Sequence, residues 1–532
     1  MSASRIAPGL LAALLALLWL AFGPATPDLA AQVYRTGLFE REGWAIFDLS
    51  WYGGHHMPGY SLLFPPLGSL LGVRLAGAVA AVASAIVFER IAHRRFGARA
   101  RWGALWFGAG SVADLLIGRL TFALGVAVAL GAVLALTHGR RRLGLALGVA
   151  TTLASPVAGL FLAMAGIAHG LATRERTGPW LAVASFTPAA ALALLFPEGG
   201  SQPFSTVELA AVVLCCALLL WALPDREHVL RAGALAYLGA TLLAFVVASP
   251  MGSNATRLGV AFAGPLLLCA VARSGAQRHR RIALAVVVPL IAWQGWAPMR
   301  ETLKGAGDPS ARLAYFMPML SFLEDRAQTE PLRVEVPFTR LHYEAVHVAR
   351  RMSLARGWQT QLDVKYNELF SAGAASRLTA ARYEGWLRRE GVRYVALPGV
   401  ALDPTGRAEA RLIRRGMPFL REVFSDADWA VFEVVGTPGL ADGVGRLTRI
   451  APQSFTLRIR QTGTTLVRVR HTPYWRVARG SGCVSRARGG WTLVRATAPG
   501  ALTVRASFDP RRLLDAGPRC SQDAEPRVEH DL

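Results

Sequence analysis

The side chains in this sequence that could do chemistry lie far apart along it. Asp28 stands in PATPDLAAQVYRTGLF, residues 24–39. Asp48, Trp51, Tyr52, His55 and His56 stand in DLSWYGGHHMPGYSLLFPPL, residues 48–67. Asp114 and Arg119 flank the turn in DLLIGRLTF, and Asn254 and Arg257 stand in SNATRLG. A carboxylate can accept a proton, an imidazole can do so near neutral pH, and a guanidinium pairs with oxyanions through two parallel hydrogen bonds. Each residue also has a plainer use. Asp28 can charge a helix start and Asp48 can serve a loop. His55 and His56 can hydrogen-bond at an interface. Arg119 and Arg257 can reach toward lipid headgroups. Trp51 and Tyr52 more often anchor at a membrane boundary than stack on sugars. What decides is where the carrying elements lie.

The chain has 532 residues, 53% hydrophobic and only 17% charged, with a formal charge of +23. Ordinary soluble domains carry about 25% charged residues. The basic residues are nearly all arginine; Lys304 and Lys365 are the lysines. Many sit in short clusters between apolar runs, as membrane topology requires, and no motif that reads a nucleic-acid groove is present. Nucleic acid is therefore not an expected partner; membrane lipid is.

Eleven apolar runs recur, at residues 10–22, 61–91, 102–117, 120–137, 143–154, 157–172, 180–196, 207–223, 232–248, 258–272 and 282–298. A bilayer core takes about 20 helical residues, so the shorter runs must end near the interface or be shielded by protein. Alternate loops carry arginine clusters: 90–101, 140–142, 174–176, 226–231 and 273–281, with Arg5 on the same side. The positive-inside rule puts these in the cytoplasm. About eleven spans then carry everything after residue 298 outside, and residues 1–300 form a polytopic membrane domain. The first run also reads as a cleavable signal peptide, with Arg5, a short apolar core and small residues near Ala25; Asp28 survives either way.

From residue 309 the pattern changes. Strand-like segments at 333–338, 393–397 and 429–435 alternate with helical spacing at 343–351, 379–390 and 406–415, predicting an extracytoplasmic α/β unit over 309–440. After the glycine-rich break at 436–445, residues 446–520 alternate apolar residues with Arg or Thr at 455–460, 465–470, 491–496 and 501–508, predicting a small β-sandwich. Residues 521–532 read as a disordered tail. Cys215, Cys216 and Cys269 lie in apolar runs as packing residues. Cys483 and Cys520 lie in the outer region, where a disulfide persists, and are expected to pair. No metal-ligand spacing exists.

The loop at 23–58 exceeds thirty residues and is too aromatic for disorder. Pro58, Pro65 and Pro66 argue against an ordinary helix at the start of the next run. The loop is expected to fold back over a pocket at the outer interface, where Asp28, Asp48, His55, His56, Arg119, Asn254 and Arg257 converge. Ionisable residues facing protein at a membrane boundary are functional candidates.

These segments resemble the GT-C superfamily of integral-membrane glycosyltransferases, through PATPDLAAQVYRTGLF, WYGGHHMPGYSLLFPPLG, GRLTFALG and SNATRLG. They also look like an actinobacterial multi-span group placed with GT-C folds, as do RGWQTQLDVKYNELF and VRYVALP. The likeness covers most of the chain. It implies a sugar donor on a polyprenyl phosphate, transfer to an extracytoplasmic cell-envelope acceptor, and inversion. Asp28, then Asp48, would be the general base. Arg119 and Arg257 would meet the leaving phosphate, with Asn254 beside them. His55, His56, Trp51 and Tyr52 would contact phosphate, sugar or acceptor. Asp28 is followed by Leu29, where that superfamily usually has a second acid, so no cofactor is expected and a divalent metal has no support. Residues from 300 onward hold 36 Arg and Lys against 24 Asp and Glu, a net +12 suited to an anionic envelope glycan or anionic headgroups. Two other readings compete: a transporter or flippase of a lipid-linked substrate, and a non-catalytic membrane scaffold with an outer binding domain. No internal repeat favours the transporter.

Overall fold

The computed structural model describes residues 3–274, 277–371, 377–513 and 520. The tail at 521–532 lies outside the described residues. The first 305 residues are mostly helical: α1 (Ala3–Phe22), α2 (Pro27–Glu42), α3 (Phe64–Leu71), α4 (Val73–Phe96), α5 (Arg101–Gly110), α6 (Ala113–Ile117), α7 (Leu120–Thr137), α8 (Arg141–Ala154), α9 (Pro156–Thr173), α10 (Thr177–Leu195), α11 (Thr206–Ala222), α12 (His228–Val246), α13 (Thr256–Ser274) and α14 (Gln277–Gly305). Among the described residues, seven helices are long and apolar enough to cross a membrane: α1, α4, α7, α9, α10, α12 and α13. The protein is thus a membrane protein by its helices. Each of the eleven apolar runs is helical, but eleven full-length spans are not found. The 14 residues of α8 reach only about 21 Å at 1.5 Å per residue. The run at 61–91 divides at Gly72, whose φ of 85° ends α3, and the run at 102–117 divides into α5 and α6. Exposed Leu10, Leu14, Leu17 and Leu18 on α1 present the apolar face such a helix turns to lipid.

One end of this bundle touches the C-terminal half. Gly200 packs on Gln361, and Tyr474 donates to the Leu195 carbonyl at 2.6 Å. The helix ends involved are those without arginine clusters. At the opposite end Arg95, closing α4, pairs at 2.8 Å with Glu227 at the head of α12.

The C-terminal half has two parts. In the first, a five-stranded mixed sheet runs β4-β3-β5-β7-β6, from β3 (Arg333–Glu335), β4 (Ser353–Leu354), β5 (Val392–Pro398), β6 (Leu420–Ser425) and β7 (Trp429–Val434). Its helices are α15 (Leu313–Ala327), α16 (Glu344–His347), α17 (Thr360–Tyr366), α18 (Ala380–Glu390) and α19 (Arg407–Arg414). Strand β5 is buried at every position but one, as a central strand must be. In the second, two four-stranded antiparallel sheets face each other: β12-β15-β10-β9 and β13-β14-β11-β8. They comprise β8 (Ala441–Gly443), β9 (Gly445–Ala451), β10 (Ser454–Ile459), β11 (Gly463–Arg470), β12 (Trp475–Arg479), β13 (Gly482–Arg486), β14 (Trp491–Ala496) and β15 (Gly500–Ala506). Cys483 on β13 is joined to Cys520 by a disulfide.

The N-terminal loop is not a loop. Its first half is α2, with Pro27 at the tolerated first helical position. Its second half is a short hairpin pairing β1 (Phe47–Asp48) with β2 (His55–His56). Both pack into the C-terminal half. Tyr34 and Leu38 of α2 join Trp51, Tyr52, Phe316, Leu320 and Val334 in the core of the α/β unit, while Phe47 and Leu49 enter the sandwich core with Leu457 and Val504. Residues 27–56 therefore bridge the two halves: α2 also packs on the bundle, where Leu29 joins Trp19, Phe64 and Leu120, while the hairpin enters the outer half. Gly54 turns the hairpin at φ 132°, and a Cβ there would meet the Phe47 ring at 2.5 Å. An alanine at this position is sterically barred.

The α/β unit also holds a buried histidine between acids. His342, at φ 58°, stacks on Trp358 with ring centroids 3.5 Å apart. Its Nδ1 lies 3.5 Å from Glu344 and its Nε2 3.6 Å from Asp403, ion-pair distances rather than tight hydrogen bonds. Burial favours the neutral ring, but the two carboxylates win and raise its pKa from 6.5 to about 9. The raised value stabilises the fold fully below pH 6.5, and that contribution is lost as pH rises through 9. A rise of this size is worth about 3 kcal/mol. The thermal midpoint is expected to fall between pH 7 and 9.5, and His342→Gln to flatten much of that fall. A midpoint equally pH-dependent in the variant would contradict the assignment.

Candidate functional site

The polar residues that meet at the interface between bundle and outer half come from four elements. Helix α2 supplies a stripe at i, i+4 and i+7: Asp28, Gln32 and Arg35. Arg119 stands at the turn from α6 into α7, and Arg257 in the first turn of α13. Tyr60 comes from the segment after the hairpin.

Asp28 sits in the first turn of α2, where a carboxylate ordinarily accepts backbone N–H groups. This one turns instead to Arg119, whose Nε donates to its Oδ2 at 3.2 Å. Both side chains stay accessible, Asp28 at 33% and Arg119 at 28%. The chain can bring them together because Gly118, at φ 91°, lies directly under α2. A Cβ there would meet the Leu29 nitrogen at 2.4 Å. Arg257 is held by Asn254, whose Oδ1 accepts from Nη2 at 2.6 Å, and lies over the Phe122 ring at 5.5 Å. Its Nε is buried without a hydrogen-bond partner among the described residues. The charges of Arg119, Asp28 and Asp114 and the Tyr60 hydroxyl all lie within electrostatic reach of Arg257.

The site continues along α2. Gln32 donates to the Tyr60 hydroxyl at 2.7 Å, and the Arg35 guanidinium lies 4.0 Å over the Tyr60 ring. Arg35 is 3% exposed; its Nη2 donates to Gln359 at 2.6 Å, while Nε and Nη1 are buried without partners among the described residues. Arg35 also borders a narrow crevice of about 30 Å³ beside Phe39, Met57 and Pro58, room for one water. Arg119, Asp28 and Asp114 thus cluster around Arg257, Tyr60 links this cluster to Arg35, and donors remain unused on Arg257 and Arg35. Such a site suits an anion with several oxygens.

The histidine-bearing hairpin does something else. Asp48 is fully buried and its oxygens are engaged, accepting from Tyr34 Oη at 2.8 Å and Ser50 N at 3.0 Å. It fixes the turn and is not presented to that cluster. Trp51 stacks on Tyr34 at 4.3 Å and donates to the Ala345 carbonyl at 3.1 Å, so it is core rather than a sugar platform or membrane anchor. Tyr52, at φ 60°, donates to the Gly357 carbonyl at 2.5 Å. His56 bridges Glu198, 3.1 Å from Nδ1, and Thr472, 3.0 Å from Nε2. Burial alone would raise Glu198, but His56 holds it below the ordinary carboxylate range. His55 stacks on Trp51 at 5.5 Å and is fully buried; burial pushes its pKa down to about 4, leaving it neutral at pH 7. The hairpin is a joint between bundle, α/β unit and sandwich. The ionic cluster around Asp28 lies beside it, with Arg35 between.

Sequence reasoning therefore placed Asp28, Arg119, Asn254 and Arg257 where the structure brings them together, and placed Asp48, His55, His56, Trp51 and Tyr52 in a site they do not line. It passed over Gln32, Arg35, Tyr60 and Gln359. The i, i+4, i+7 spacing of Asp28, Gln32 and Arg35 was the available signal. No group of three or more His, Cys, Asp or Glu residues among those described is arranged to hold a metal ion. No protein-family model and no curated protein matches the chain.

Proposed function

We propose that the protein is a membrane-embedded transferase that moves a glycosyl group from a polyprenyl-phosphate donor to an acceptor hydroxyl outside the cytoplasm. One observation carries this reading. An accessible carboxylate, Asp28, is held against Arg119 with Arg257 within reach, at the helix ends opposite the arginine clusters. The eleven helical runs pass back and forth through or into the bilayer, the arginine-rich turns face the cytoplasm, and the α/β unit and sandwich stand outside. Asp28 takes the proton of the acceptor hydroxyl as its oxygen attacks the anomeric carbon. The bond from that carbon to the phosphate oxygen breaks, its electron pair leaves with the phosphate, and configuration inverts. Arg257 and Arg119 balance the charge that grows on the leaving group. The phosphate also draws Arg119 from Asp28, freeing the carboxylate when the donor is seated. The polar groups gather at helix ends rather than at mid-membrane, which argues against a transporter.

Two measurements test the reading. Purified full-length protein in detergent, given polyprenyl-phosphate sugars and a hydroxyl acceptor, is expected to release polyprenyl phosphate; no release from a panel of pentose and hexose donors would count against it. For topology, Arg449→Cys is expected to react with a membrane-impermeant maleimide in intact cells and Arg142→Cys only after permeabilisation. The opposite pattern would reverse the orientation.

A further inference from the structure

The β-sandwich has an unusual charge balance. Residues 436–507 contain twelve arginines and one acid, Asp442. Several of these arginines lie on one face. In β10 and β15 alternate residues turn inward, Phe455, Leu457, Leu502 and Val504 among them, so Thr456, Arg458, Thr503 and Arg505 face out. The strand register lines them up: Arg449 pairs with Thr456, Thr456 with Thr503, and Thr503 with Arg479. The next row across is Ala451, Ser454, Arg505 and Arg476. The two threonine hydroxyls are hydrogen-bonded at 3.0 Å. Arg449 and Arg479 stand at the two ends of the first row, about 14 Å apart at the usual strand spacing.

This face is a groove of about 490 Å³, lined by Arg449, Arg479, Arg505, Ser454, Thr456 and Thr503 among others, with Glu42 the one carboxylate. Arg476 is neutralised by Asp509 at 2.5 Å. Arg449, Arg458, Arg479 and Arg505 have no ion-pair partner among the described residues. We propose that this groove binds a polyanionic glycan, whose carboxylates or phosphates meet the flanking arginines and whose hydroxyls meet the threonine row. A membrane surface fits less well. Basic surfaces that seat on bilayers add apolar side chains to insert, and the groove is lined by no large apolar side chain; Phe508, exposed just after β15, stacks on Phe196 instead. A single strand of nucleic acid wants aromatic platforms, and no aromatic residue lines the groove. Glu42, the last residue of α2, is among the groove's lining residues. The binding claim stands whether or not glycosyl transfer occurs at Asp28.

The test uses full-length protein in detergent, with fluorescent polygalacturonate as the polyanion, fluorescent dextran as the neutral glycan, and phosphatidylglycerol vesicles. Binding to polygalacturonate, weakened by salt, is expected without binding to dextran. The triple variant Arg449→Gln, Arg479→Gln, Arg505→Gln is expected to weaken it at least tenfold, and Arg505→Glu alone several-fold. A control removing equal charge elsewhere, Arg411→Gln, Arg414→Gln, Arg415→Gln, is expected to leave it within twofold. Unchanged affinity in the triple variant, an equal loss in the control, or binding to vesicles but not polygalacturonate would each overturn the proposal.

Discussion

Asp28→Asn is expected to cut glycosyl transfer by about a hundred- to ten-thousand-fold, the usual contribution of a positioned general base. The substitution is nearly isosteric, and the amide oxygen still accepts the Arg119 hydrogen bond. It removes the ability to take a proton and little else. Stability should barely move, because the pair is about one-third exposed and an exposed ion pair is worth about 0–1 kcal/mol. Arg257→Gln is the informative contrast. It removes a cation from the leaving-group side, so donor binding should weaken along with the rate. Measuring kcat and KM for both variants separates the roles. Transfer by Asp28→Asn above one-tenth of the parent rate, in protein with an unchanged thermal midpoint, would remove Asp28 as the base. If Arg257→Gln were equally silent, the scaffold reading would stand in its place.

The helices of the bundle were legible because apolar runs in a bilayer have one economical conformation, with every backbone group paired internally. The breaks inside two runs were less so. Pro65 and Pro66 looked like obstacles to helix, yet they occupy the first turn of α3, where a missing N–H costs nothing. The same signal opens α2 at Pro27, within a segment whose length and aromatic content read as an ordered loop. Strands and helices of the outer half fell within a few residues of expectation where alternation was clean, as in β5, β7 and β10. The hairpin's role could not be read. His56 is explained by Glu198 and Thr472, 142 and 416 positions away, and Trp51 by Ala345. A buried histidine and a ligand-binding one look the same until such partners are known.

Arg356→Met is expected to be the most destabilising single change in the outer half, by about 3–5 kcal/mol. The guanidinium is 1% exposed and lies between the Phe338 and Phe370 rings, at 3.7 and 4.2 Å. It donates to both oxygens of Asp363, at 3.0 and 2.8 Å. Its Nη1 stands 3.8 Å from Glu335 and 3.6 Å from Glu409. Both glutamates are fully buried, and Tyr383 donates to Glu409 at 2.6 Å. Burial pushes Glu335 well up and Glu409 to about 7, with Arg356 pulling each the other way. Methionine keeps most of the volume between the rings but leaves the carboxylates without their cation. Both folded-state values then rise further. A carboxylate with a raised folded pKa stabilises below its unfolded value near 4.5 and loses that contribution as pH rises. The defect of Arg356→Met should therefore be larger at pH 8 than at pH 5.5. Adding Glu409→Gln should recover part of it, giving a coupling that two independent sites would not show. A loss under 1 kcal/mol at pH 8, measured by denaturant unfolding, would mean the three acids are accommodated by something other than this one guanidinium.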